Sequence, residues 1–83
     1  MTTSEENREE KIINEQREAT VRELIKLLPE DQREVLVLRH YGELSFKEIS
    51  VITEVSINTA LGRMRYAIQN LRKLIVEKEL SLR

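Results

Sequence analysis

The stretch Leu44–Leu74, LSFKEISVITEVSINTALGRMRYAIQNLRKL, constrains this chain more than any other, because it carries two helix-start signals a short turn apart. Ser45 precedes Phe46-Lys47-Glu48, which is the pattern of a capping box, with the Ser45 side chain and Glu48 satisfying each other's backbone N–H groups. Ser56 precedes Ile57-Asn58-Thr59 and is the second candidate N-cap. Each cap contributes about 1 kcal/mol. Phe46, Ile49 and Ile52 recur at a spacing of three, and Thr53-Glu54-Val55 leaves room for a tight turn. A short helix, a tight turn and a longer helix make the length pattern of a helix-turn-helix.

The longer helix has two distinct faces. On a wheel of about 100° per residue with Ala60 at zero, Met64, Ala67 and Leu71 fall within about 40°, flanked by Ile57 and Ile68. Asn58, Gly62, Arg65 and Gln69 point the opposite way, with Leu61 and Arg72 beside them. The small inward residues Ala60 and Ala67 allow close approach to a neighbouring helix. The outward set suits base edges and phosphates, since amides pair with adenine and guanidinium with guanine.

Several segments at fixed spacing resemble a known family: Leu28-Pro29, Gln32-Arg33-Glu34-Val35-Leu36, Leu44-Ser45-Phe46-Lys47-Glu48-Ile49, Val55-Ser56-Ile57-Asn58-Thr59-Ala60 and Arg63-Met64. They look like region 4 of sigma-70 family transcription factors, extracytoplasmic-function branch, over about residues 20 to 75. The resemblance implies that the second helix of the motif reads the −35 promoter element. It also implies docking on the beta flap of RNA polymerase core and masking by anti-sigma factors. The chain departs from the family pattern at two places. Glu54 stands where the turn usually has Gly, and Leu61 where the family usually has Lys or Arg. A non-Gly residue at positive φ costs about 1–2 kcal/mol, so either Glu54 is strained or the turn has another geometry. Leu61 removes a phosphate contact that the family's cation would make.

Net charge is −1, which by itself argues against a nucleic-acid partner, but the distribution of charge argues the other way. Residues 1–28 carry a net −2 and residues 29–55 a net −3, whereas residues 56–75 hold Arg63, Arg65, Arg72 and Lys73 with no acid. A single basic helix on an acidic body is the polarity expected when only that helix approaches DNA. The chain has no Cys, which excludes disulfides and thiolate metal sites. Its longest aliphatic run, Val35-Leu36-Val37-Leu38, is far too short for a membrane span. A soluble, cytoplasmic protein is expected.

Eighty-three residues allow one domain of modest stability. The expected architecture is all-α: four helices ending in a helix-turn-helix over about 45–74, of the winged-helix-like type without a wing. Residues 1–6 read as a polar, disordered leader, 7–75 as the domain and 76–83 as a fraying tail. The first helix gathers Ile13, Val21, Leu24, Ile25 and Leu28 toward its end, and its charged first half projects from the core, with Glu18–Arg22 as a same-helix pair. Pro29 stops that helix and opens the next, Pro29 to Tyr41, in which Val35, Leu36 and Leu38 face inward. Acidic Glu30, Asp31 and Glu34 and basic Arg39 and His40 complement its dipole, and Gly42 follows as its C-terminal cap.

No constellation for catalysis is present in this sequence. His40 is the lone histidine without a second ligand nearby, and acid pairs such as Glu9–Glu10 are solvated faces, so no catalytic residue, metal, cofactor or small-molecule substrate is assigned. For double-stranded DNA two kinds of contact separate. Thr59, Arg63 and Lys47 are placed for phosphates, with Ser56 bringing helix-start N–H groups to another. Asn58, Leu61, Gly62 and Arg65 are the candidates for base edges, with Leu61 suited to a thymine methyl. Three of these have a plainer explanation: a surface glycine at 62, a salt bridge at Arg63, a local helix-start hydrogen bond at Asn58. A second hypothesis makes the chain a protein-docking module. Leu24, Ile25, Leu28 and the Val35–Leu38 run would then exceed what a small core hides and would mark a face for polymerase or an anti-sigma factor. A free-standing helix-turn-helix regulator, or a homodimer through the first helix, completes the set.

Overall fold

The computed structural model describes residues 4–81, which form four helices: α1 (Ser4–Ile25), α2 (Glu30–His40), α3 (Phe46–Thr53) and α4 (Ile57–Ser81). There is no strand among the described residues. The all-α expectation and the order of the four helices hold. The helical backbone begins at Ser4, inside the segment expected as leader, because neither Gly nor Pro interrupts the chain from there to Leu28. Residues 1–3 and 82–83, parts of the expected leader and tail, lie outside the described residues, as does the side chain of Ile13. From Glu15 to Thr20 α1 is exposed, Val21 is half-buried, and Leu24 and Ile25 are buried.

Two clusters make the core. Ile25 and Leu28 meet Leu36 of α2 and Ala67 of α4, with Leu71 and Leu74 packed around them. Val35 of α2, Ile49 of α3 and Ala60 of α4 form the second, with Leu38, Leu44 and Phe46 around it. Met64 packs against both clusters, and its unbranched thioether chain suits a site where two differently shaped groups meet. Ala60 and Ala67 are fully buried, so α4 comes close to its neighbours where its side chains are smallest. Leu24, Ile25 and Leu28 are each under a tenth exposed, so they belong to the core and are not surplus apolar surface.

Two stripe assignments need correction. The spacing of three groups Ile52 with Phe46 and Ile49, but Ile52 is 57% exposed. Three residues advance a helix by about 300°, so each step slips by about 60° and the third member leaves the buried face. The wheel sets Ile57 on the flank of the inward stripe of α4, yet Ile57 is 44% exposed. It sits at the first residue of the helix, about 60° off the stripe and before the Ala60 contact.

The connections explain how the last two helices are held. Helical geometry in α1 ends at Ile25, and Leu27 and Leu28 close the chain by donating to the carbonyls of Leu24 and Ile25. The pyrrolidine ring of Pro29 disfavours helix at Leu28, so α1 stops earlier than Leu28 and Pro29 becomes the N-cap of α2 instead of its first helical residue. Arg22 donates to the backbone oxygen of Glu18 at 3.4 Å, not to its carboxylate. Between α2 and α3 the cap expected at Gly42 is held by Tyr41, in helical geometry, and no glycine has positive φ. The left-handed residue is Glu43, at φ 55°. Arg39 then fixes the loop, donating to the Leu44 carbonyl at 2.8 Å while its guanidinium lies 4.9 Å from the centre of the Phe46 ring.

Candidate nucleic-acid interface

Both expected caps of the helix-turn-helix form. The Glu48 N–H donates to Ser45 Oγ at 3.1 Å and the Ser45 N–H donates to Glu48 Oε1 at 3.2 Å, closing the capping box. At the start of α4 the Thr59 N–H donates to Ser56 Oγ at 3.0 Å, and the two hydroxyls lie 2.9 Å apart in a hydrogen bond. One hydroxyl hydrogen serves that bond, which leaves the other to donate outward from an exposed site.

The turn that aims α4 is built on Glu54. It is left-handed, at φ 57° and ψ 39°, and its N–H reaches the carbonyls of Ser50 and Val51, while the Val55 N–H closes on Ser50 at 3.1 Å. These bonds satisfy the end of α3 in the manner that glycine normally supports. Of the two alternatives open for this turn, a strained Glu54 is the one the chain adopts.

The outward face of α4 presents what the wheel assigns to it. Asn58, Thr59, Arg65, Gln69 and Arg72 are exposed, and Leu61 is 40% exposed. A Cβ at Gly62 would meet nothing within 4 Å, so the fold does not require glycine there. Lys47 is exposed near the start of α3. Arg63 differs from the rest: half-buried, it places Nε 3.7 Å from Asp31 Oδ2 of α2. At that distance, with Asp31 half exposed, the pair is a loose one. The salt bridge weighed against a phosphate role for Arg63 is thus present. Two turns further on, Asn70 Nδ2 donates to Gln32 Oε1 at 2.7 Å, a second polar tie from α4 to the start of α2.

Two exposed residues of this face are not evident from the sequence pattern. Ile57 falls on the flank of the core stripe by periodicity. Tyr66, 59% exposed, follows Gly62 by four residues and so stands one turn along the same face. Its i,i+4 offset from Gly62 is the available signal. No group of three or more metal-ligating side chains occurs among the described residues, and none of their helices is long and apolar enough to cross a membrane.

Comparison with known proteins gives this geometry a context. The model of the family "Sigma-70, region 4" matches residues 18–73. The chain is similar to the RNA polymerase sigma-H factor of Pseudomonas aeruginosa, with 31% identity over 70 residues that cover 84% of this chain and 36% of the relative. It is also similar to the RNA polymerase sigma-E factor of Streptomyces coelicolor, at 31% over 65 residues, 78% of this chain and 37% of that protein. The chain therefore spans a little over a third of the length of these curated relatives.

Proposed function

The chain belongs to the sigma-70 region 4 family, and from that premise we propose that it recognises the −35 element of bacterial promoters for transcription initiation. Double-stranded promoter DNA and RNA polymerase core, through its beta flap, are its partners in this reading. The observation that carries it is the face of α4. Within residues 56–75 every ionisable charge is positive, and Asn58, Arg65, Gln69 and Arg72 stand exposed on a helix whose start is capped and whose back is locked by Ala60 and Ala67. A helix so mounted enters a major groove with its N-terminal residues at base edges, while the preceding helix crosses the backbone.

Roles divide accordingly. Lys47, Thr59 and Ser56 hold phosphates and fix register, and Asn58, Leu61, Gly62 and Arg65 face bases. Arg63 joins the phosphate set by leaving Asp31. That exchange is inexpensive because the pair is long and solvent-screened.

Fluorescence anisotropy of the 83-residue chain on random and selected duplexes across a salt series tests this reading. A log–log slope of about −3 to −4 with a sequence preference supports it, matching three or four neutralised phosphates. Arg65→Ala then weakens the selected duplex by about 1–3 kcal/mol and relaxes preference at one position. Equal weakening on all sequences would reassign Arg65 to a phosphate. Undetectable binding would favour a docking module for polymerase or an anti-sigma factor. That second reading draws on the apolar groove between α1 and the end of α4, lined by Val21, Leu24 and Ile75.

A further inference from the structure

We propose that Ile57 and Leu61 form an apolar edge on α4 that selects thymine through its C5-methyl group. This deepens the DNA-reading function proposed above and rests on it. The two side chains are four residues apart, hence neighbours on one helical face, and they are 44% and 40% exposed. They border Asn58 and Arg65, which are exposed and polar. Both lie in the first turns of α4, the part of a recognition helix that reaches base edges.

Neither residue belongs to the buried core. The buried stripe of α4 is centred on Ala60 and Ala67, and the core clusters draw on Met64, Ile68, Leu71 and Leu74 but on neither Ile57 nor Leu61. Capping of α4 is done by Ser56, and the β-branched Ile57 adds nothing to helix propensity. What the pair offers is two adjoining aliphatic surfaces beside an amide and a guanidinium.

In the major groove each base pair shows a distinct edge, and thymine alone shows a methyl group. An aliphatic pair gains by covering that methyl. It loses against cytosine, whose amino donor would be desolvated without a partner. Covering one methyl group corresponds to about a three- to fivefold change in affinity. The edge therefore supplies thymine preference at one or two positions, next to the positions read by Asn58 and Arg65.

The test uses the duplex that the 83-residue chain enriches from a randomised pool, with each thymine replaced singly by uracil, which removes only the methyl. The expected result is a loss of about three- to fivefold at one or two positions and little change elsewhere. Leu61→Ala should abolish the loss at one of them while circular dichroism shows unchanged helicity. Leu61→Lys should remove the methyl preference and steepen the salt slope by about one. Enrichment of a duplex whose uracil variants all bind equally would overturn this inference alone. So would full methyl discrimination retained by both Leu61→Ala and Ile57→Ala. Failure to enrich any duplex would overturn the promoter reading together with it.

Discussion

A methyl group added at Gly42 would sit 2.6 Å from the backbone oxygen of Leu38, whereas one added at Gly62 would meet nothing within 4 Å. Both glycines adjoin the helix-turn-helix, one just before it and one inside its second helix. At Gly42 the chain folds back over the end of α2, with the Gly42 N–H on the Val37 carbonyl and the Leu44 N–H on the Leu38 carbonyl. That crossing leaves no room for a Cβ, although the backbone itself is not left-handed. At Gly62 helix propensity argues for any other residue, and the space is open. A glycine the fold requires has its reason inside the molecule. A glycine the fold only tolerates has its reason, if any, outside it, and Gly62 faces the side on which the proposed ligand lies.

The largest test of that contrast is Gly42→Ala. The obstructing atom is backbone and cannot rotate away, so the turn between α2 and α3 must shift. We expect a loss of about 2 kcal/mol, within the range for backbone clashes at glycine. For a domain of this size that lowers Tm by roughly 8–16 °C, measurable by thermal circular dichroism. An unchanged Tm would mean that the turn relaxes without cost and that Gly42 is no more constrained than Gly62.

A second test reverses the comparison by supplying glycine where the fold wants it and lacks it. Glu54 is left-handed with two carbonyls converging on its N–H. Removing its Cβ relieves about 1–2 kcal/mol of strain, and the freer unfolded chain takes back part of that gain. Glu54→Gly should therefore raise stability by about 1 kcal/mol, or roughly 4–8 °C in Tm. A loss would show that the Glu54 side chain contributes more to the turn than its backbone strain costs.

How far these features are legible in the sequence follows from their range along the chain. Ser45 with Glu48, and Ser56 with Thr59, each act across three residues, and both caps can be recognised from the order of residues alone. Ala60 and Ala67 are legible because helical periodicity places them without reference to any partner. Gly42 stands out in the sequence but for the wrong reason. Its constraint is a through-space approach to Leu38, invisible in a local pattern that equates glycine with positive φ, and the left-handed residue is Glu43. Ile52 and Ile57 mislead because each lies about 60° off the centre of its buried stripe, where a spacing pattern does not guarantee burial. The tie from Arg63 to Asp31 spans two helices, so the sequence can name a salt bridge as an alternative but cannot choose it.

The smallest stability change, and the one that most sharpens the contrast, is Gly62→Ala. With nothing within 4 Å of the added Cβ and a helix interior around it, alanine should stabilise the free chain by about 0.5–1 kcal/mol. If close approach of DNA is what the open face serves, the same change should weaken binding to the selected duplex, because the methyl group occupies the space between Asn58 and Tyr66 on that face. Stability and affinity would then move in opposite directions, which a merely tolerated surface glycine does not produce. Thermal denaturation and anisotropy on the same sample separate the cases. A gain in Tm with unchanged affinity would mean that α4 meets DNA along another side, and the assignment of Gly62 to the interface would fall.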